Sequence, residues 1–184
     1  MRRVFADTGY WVALLNPRDE LHQKARDLSS KMGAIYIFTR EMVLAEVLND
    51  FSKRGEFFRG AAIELIESLY SHPNVTVVKQ SSSQFQDGLL LYKQRPDKEW
   101  SITDCVSFKI VEAYGITEAL AYDKHFEQAG FVALLRDFVS SDRILYKSSH
   151  QKPGFYDFFR QFWVKHRKKP GFSCLVKSES DRMN

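Results

Sequence analysis

Short β-branched and aromatic runs alternate along this chain with segments of helical periodicity, and this alternation restricts the fold more than any other feature. Residues 3–7, 35–38, 75–78, 118–122 and 131–135 read as strands. Between them, helices are expected over residues 10–15, 19–32, 40–54, 56–70, 82–94 and 102–114, with a short one after Asp123. Pro17, Gly33, Gly55, Pro73, Pro96 and Gly115 punctuate these segments where a helix must stop. Asp19, Thr39, the serines at 81–83, and Ser101 or Thr103 stand where helix N-caps are needed. Strands separated by helices cannot pair as tight hairpins. They make a largely parallel central sheet flanked by helices, an α/β fold.

In such a sheet, sites lie beyond the carboxyl ends of the strands. Asp7 closes the first strand and Asp123 follows the fourth, so both belong to that edge. Asp104 lies in the first turn of a helix that starts there. Apolar side chains cover most of this helix's circumference, with Lys109 and Glu112 as its polar strip, and Asp104 falls on an apolar flank. A carboxylate in that position must find a partner or a cation, or stay protonated. Each of these three acids also has a simpler reading as a helix cap. Glu46 lies off the apolar stripe of its helix, which is formed by Val43, Leu44, Val47, Leu48 and Phe51. Read alone it is a solvated surface glutamate, and it reaches the others only if its helix leans over the sheet edge. Carboxylates with no matching cysteine or histidine set point to a hard divalent cation. Such a cation activates water and steadies a departing phosphate oxygen.

The chain of 184 residues is 44% hydrophobic, which suits a globular core. No apolar run approaches the length of a membrane span. The first residues carry no secretory pattern, so the cytoplasm is expected. Cys105 and Cys174 are too few for a disulfide scaffold and lack metal-ligand spacing. The net charge of +4 is uneven: residues 1–136 hold 17 Lys/Arg against 18 Asp/Glu, and residues 137–184 hold 10 against 5. The basic character belongs to the tail, and the body has no general electrostatic affinity for nucleic acid. Two units are therefore expected: residues 1–136, and a basic aromatic extension over 137–184. The extension reads as a linker over 139–150, a helix with six aromatics over 155–163, and a basic run at 165–169. Docking of that helix on the domain or on a second subunit is favoured over an exposed aromatic face. The cations Lys53, Arg54, Arg59, Lys93, Arg95 and Lys98 read as solvated surface charge before they read as phosphate contacts.

Four short motifs resemble the PIN-domain ribonucleases, in the group of the VapC-type toxins. They are Phe5-Ala6-Asp7-Thr8, Val43-Leu44-Ala45-Glu46-Val47-Leu48, Ser101-Ile102-Thr103-Asp104-Cys105-Val106-Ser107-Phe108 and Ala121-Tyr122-Asp123-Lys124-His125-Phe126. The resemblance covers about residues 1–136. It implies a PIN-like fold, an acidic pocket for Mg²⁺ (or Mn²⁺), and metal-dependent endonucleolytic cleavage of RNA. By position, Asp7, Glu46, Asp104 and Asp123 are the catalytic and metal-binding quartet. Asp7 and Asp104 would make the direct or water-bridged contacts, and Glu46 and Asp123 would hold a second ion or orient water. Thr8 and Thr103 offer hydroxyls to fix the carboxylates or a metal-bound water. A small antitoxin protein and a homodimer are implied in the same way. Where some family members carry a further acid, two residues after the last aspartate, this chain has His125.

Two other readings use the same residues. One keeps the acids and changes the substrate, giving a metal-dependent phosphatase or DNA nuclease. The other treats the acids as caps and the chain as a non-catalytic nucleic-acid or protein interaction module.

Overall fold

The computed structural model describes residues 1–137 together with Arg160 and Val164. The linker and aromatic segment expected within 137–184 lie outside that set, apart from those two residues. The elements, in chain order, are β1 (Arg2–Ala6), α1 (Thr8–Leu15), α2 (His22–Lys31), β2 (Ile35–Arg40), α3 (Glu41–Phe51), α4 (Glu56–Ser71), β3 (Val75–Val78), α5 (Ser82–Gln94), α6 (Ile102–Ala113), β4 (Glu118–Leu120), α7 (Lys124–Gln128), β5 (Val132–Ala133) and α8 (Leu134–Asp137). The strands form one sheet in the order β3-β2-β1-β4-β5, and every pairing is parallel. This is the expected α/β arrangement. Among the described residues no helix is long and apolar enough to cross a membrane.

The strand order sets where a site can form. From β1 the chain builds outward through β2 to β3, then returns to place β4 on the other side of β1. Connections therefore leave β1 and β4 in opposite directions, and a crevice opens between their carboxyl ends. Ala6 stands opposite Leu120 in the ladder, and the Asp7 N–H donates to the Leu120 carbonyl at 3.2 Å. Asp7 is thus the first residue past the ladder, at the mouth of the crevice.

Val4, Phe5 and Ala6 are all fully buried, as a central parallel strand requires. Phe5 belongs to an aromatic cluster with Phe126 at 5.8 Å; Phe126 in turn meets Phe108 edge-on at 5.1 Å, and Trp100 meets Phe108 at 5.0 Å. This cluster ties the end of β1, the first turns of α6 and all of α7 together. Each of those pieces carries or adjoins one of the acids. A second tie sits between β1 and β2, where Trp11 Nε1–H donates to Thr39 Oγ1 at 3.2 Å and the Thr39 hydroxyl donates to the Ala6 carbonyl at 2.9 Å.

Several expected boundaries shift for local reasons. Asp19 does not cap α2; its carboxylate accepts from the Leu21 amide at 2.9 Å in a turn that delays the helix to His22. Thr39 lies inside β2 and spends its hydroxyl on β1, so Arg40 takes the N-cap position of α3 without a side-chain cap bond. Gly55, at φ 88°, is the N-cap of α4 and not the stop of α3, which ends at Phe51 with Ser52 as its C-cap. Leu48, expected on the apolar stripe of α3, is 39% exposed. Residues 131–135 hold a two-residue strand followed directly by α8, because Val132 and Ala133 alone pair with β4.

Helices α5 and α6 cross at close range at Gly88. A Cβ built there would overlap the Val106 side chain and lie 3.0 Å from Val106 Cα. Gly88→Ala is expected to force the helices apart and to cost about 1–3 kcal/mol, read as a lower urea midpoint.

Candidate metal centre

Asp7 is the N-cap residue of α1, but its side chain makes no cap hydrogen bond. The capping alternative therefore fails for this residue. Its residue exposure is only 9%, and burial is the main cause of a pKa raised to about 8, with Asp123, Asp104 and Glu46 adding repulsion and the Thr8 amide opposing it. A carboxyl in this state holds its proton at neutral pH unless a cation displaces it.

Asp104 does act as a cap. Its Oδ2 accepts from the Ser101 amide at 2.7 Å, and its own amide donates to Ser101 Oγ at 3.0 Å, a reciprocal capping box. Burial still raises its pKa, against the pull of Ser101, and Asp123 adds to the rise while His125 opposes it. The capping and site readings coexist here, because a carboxylate has more acceptor positions than the cap consumes. Asp123 follows the same pattern: its Oδ1 accepts from the His125 amide at 2.8 Å at the start of α7. Its side chain is 44% exposed, against 13% for Asp104, so it forms the open wall of the crevice.

Glu46 reaches the pocket. Thr8 Oγ1 donates to Glu46 Oε2 at 2.6 Å across the gap between α1 and α3. This bond brings Glu46 beside the end of β1, and Glu46 is half-buried rather than fully exposed. Thr8 fixes a carboxylate as expected. On the other side, the groups that hold Asp104 come from Ser101, while Thr103 is buried in α6.

Two further residues belong to the pocket and were not among the expected site residues. His125 Nδ1 lies 3.2 Å from Asp104 Oδ2 and 3.7 Å from Asp123 Oδ2. Asp104, Asp123 and His125 each offer a ligand atom within 4.8 Å of the other two. The sequence signal for His125 is its place two residues after Asp123. Arg40, 1% exposed, stands behind Glu46 at the end of β2. It donates to Gln80 Oε1 and to Met42 Sδ, and its second terminal nitrogen is buried without a partner. Burial lowers its pKa to about 10, and Glu46 and Glu41 oppose that, so it stays charged at neutral pH. No periodicity marks it: Met42 lies two residues on, but Gln80, its oxygen acceptor, lies 40 residues away.

The candidate phosphate contacts fare less well. Arg54 pairs with Asp50 at 2.8 Å, Arg95 with Asp97 at 2.8 Å and Lys98 with Asp97 at 3.6 Å. The surface-charge reading fits these three cations.

The donor set suits a divalent cation: among the described residues Asp104, Asp123 and His125 place one ligand atom each within 4.8 Å of the others, while Asp7 and Glu46 fall outside that group and Asp7 adjoins it as a buried, uncapped carboxyl. Among the described residues, His125 is the single ion-pair partner recorded for Asp7, Asp104 or Asp123, and it reaches only the latter two. No Lys or Arg among the described residues is paired with any of these three acids.

The PIN domain family model matches residues 4–132. The chain belongs to the PIN domain family. Its relatives lie in the VapC-like group: it is 28% identical over 130 residues to the 23S rRNA-specific endonuclease VapC20 of Mycobacterium tuberculosis, in strains H37Rv and CDC 1551, covering 70% of this chain and 95% of that protein. The crystal structure of Mycobacterium tuberculosis VapC20, described as a sarcin-ricin loop cleaving toxin, superposes with a TM-score of 0.64 at 26% identity, over 71% of this chain and 97% of that one. The PIN fold and the acidic crevice at its switch point therefore accord with the family resemblance.

Proposed function

We propose that this PIN domain is a metal-dependent endoribonuclease that hydrolyses RNA phosphodiester bonds, and that it is the toxin of a type II toxin–antitoxin pair. The observation that carries the reading is the approach of the Asp104, Asp123 and His125 ligand atoms to within 4.8 Å of one another, with the buried, uncapped Asp7 beside them at the carboxyl edge of β1 and β4. Asp7 and Asp104 would hold Mg²⁺ or Mn²⁺, with Asp123 completing the open side. A bound cation of this class supplies the positive charge that makes a water nucleophilic and stabilises the departing oxygen.

The protein's own groups prepare that chemistry. Burial and the neighbouring acids disfavour a bare charge on Asp7, so a cation bound beside it would take the place of the carboxyl proton. The capping bonds fix the Asp104 and Asp123 carboxylates before any ligand arrives, and the aromatic cluster beneath fixes the elements that bear them. Thr8 holds one oxygen of Glu46 and leaves the other to accept a hydrogen bond from an attacking water. The buried Arg40 charge limits the repulsion that Glu46 would otherwise feel.

The RNA is expected to be a structured ribosomal element, because the similar VapC20 proteins act on 23S rRNA and the sarcin-ricin loop. A small antitoxin protein, a homodimer and a cytoplasmic location belong to the same proposal. Purified protein should cut RNA with Mg²⁺ or Mn²⁺, stop when EDTA is added, and resume when the metal is restored. Cutting of DNA alone, or release of phosphate from a monoester alone, would support the phosphatase or DNA nuclease reading. Absence of all cleavage and of metal binding would support the interaction module.

A further inference from the structure

We infer that His125 is a nitrogen ligand of the cation held in this crevice, and that it biases the site toward Mn²⁺ and similar borderline divalent ions over Mg²⁺. The inference rests on the metal-site reading above and adds a ligand to it. Its geometry is that of neighbouring ligands on one ion. His125 Nδ1 stands 3.2 Å from Asp104 Oδ2 and 3.7 Å from Asp123 Oδ2. Two ligands at right angles on a cation, each at roughly 2.1 Å, are themselves about 3 Å apart. The three donor atoms all lie within 4.8 Å of one another.

The His125 backbone is held from both sides. The His125 amide donates to Asp123 Oδ1 at 2.8 Å, and the next residue, Phe126, is fully buried in the aromatic cluster. A second observation points to a cation rather than to a closed hydrogen-bond network. Asp7, nine-tenths buried and uncapped, lies beside Asp104 and Asp123, and no Lys or Arg is paired with any of the three among the described residues. A single imidazole N–H donated to Asp104 leaves Asp123, 3.7 Å from the same nitrogen, beyond hydrogen-bond distance.

An imidazole ligand changes selectivity. Mg²⁺ prefers oxygen donors and keeps its waters, whereas Mn²⁺ and later first-row ions accept nitrogen more readily. A carboxylate at this position would give an all-oxygen set, and His125 makes the set mixed.

The test uses the full-length protein loaded with Mn²⁺ alone. Pulsed electron paramagnetic resonance should detect a nitrogen nucleus coupled to the Mn²⁺ electron spin. The coupling should disappear in His125→Ala and in His125→Asp. His125→Asp keeps an oxygen donor in place and should still bind Mn²⁺, while its preference for Mn²⁺ over Mg²⁺, measured by calorimetry, falls by about tenfold or more. Wild-type protein that binds Mn²⁺ without nitrogen coupling would overturn the inference and leave the carboxylate site standing; so would coupling that survives both substitutions. Failure of the wild type to bind Mn²⁺ at all would overturn the metal site and this ligand together.

Discussion

In metal-free buffer at pH 8, Asp7→Asn should melt higher than the wild-type protein, although it removes a residue from the proposed catalytic site. The sign follows from proton linkage. Burial and the neighbouring acids raise the Asp7 pKa from 3.8 to about 8 in the folded chain. The folded state therefore holds a proton that the unfolded chain releases near pH 4. Between pH 4 and pH 8 the unfolded state binds fewer protons, so stability falls as pH rises and levels off above the folded pKa. The ionised, metal-free site costs on the order of 3–5 kcal/mol at pH 8, an upper range because the coupled acids share it. Asparagine keeps the shape, removes the charge and needs a partner for its amide, which returns part of the gain. The expected rise is roughly 5–10 °C at pH 8, shrinking toward zero near pH 4. Differential scanning calorimetry in EDTA across that range checks it. A variant that melts below the wild type at pH 8 would mean that the Asp7 charge stabilises the fold. Mn²⁺ should then raise the wild-type melting temperature far more than that of the variant, because the cation binds the deprotonated acid.

The second large effect is on catalysis. Asp104→Asn should reduce RNA cleavage by at least about 10²–10³-fold, the rate equivalent of losing several kcal/mol of transition-state stabilisation. The protein should remain folded, because the asparagine oxygen can still accept from the Ser101 amide, a bond now 2.7 Å long. Ser101→Ala provides the opposite separation. It deletes the hydroxyl that accepts from the Asp104 amide, costing about 1 kcal/mol of stability, and leaves the negative charge in place. If Asp104→Asn cuts RNA as well as the wild type while Ser101→Ala is destabilised, Asp104 is a cap only.

These two residues also show how much of the site is written locally in the chain. Asp7 and Asp123 follow strands, and the rule that parallel sheets carry sites at their carboxyl edge places both from the sequence alone. Asp104 is marked by its apolar flank. Capping and site membership read as alternatives for it in the sequence, and the structure has the capping bonds within the acidic crevice. Glu46 is legible only through the family resemblance. The hydrogen bond that draws it inward comes from Thr8, 38 residues away, and no local pattern encodes a contact at that separation. Arg40 escapes for a similar reason: it ends an apolar strand and resembles a surface terminus until Gln80 and Met42 close over it. The late boundaries differ where the element is shorter than its periodicity, as in the two residues of β5. The asymmetry is general in this chain. Position along a strand or helix is written locally, while the company a side chain keeps is settled by packing between distant segments.

A nuclease of this kind requires that these carboxylates share an ion. Crystals grown with Mn²⁺ and measured at an X-ray energy where manganese scatters anomalously give the direct answer. A peak is expected in the crevice between β1 and β4, in contact with carboxylate oxygens of Asp7 or Asp104 and absent from Asp7→Asn crystals. A fully occupied Mn²⁺ elsewhere on the protein, with this crevice holding only water, would contradict it.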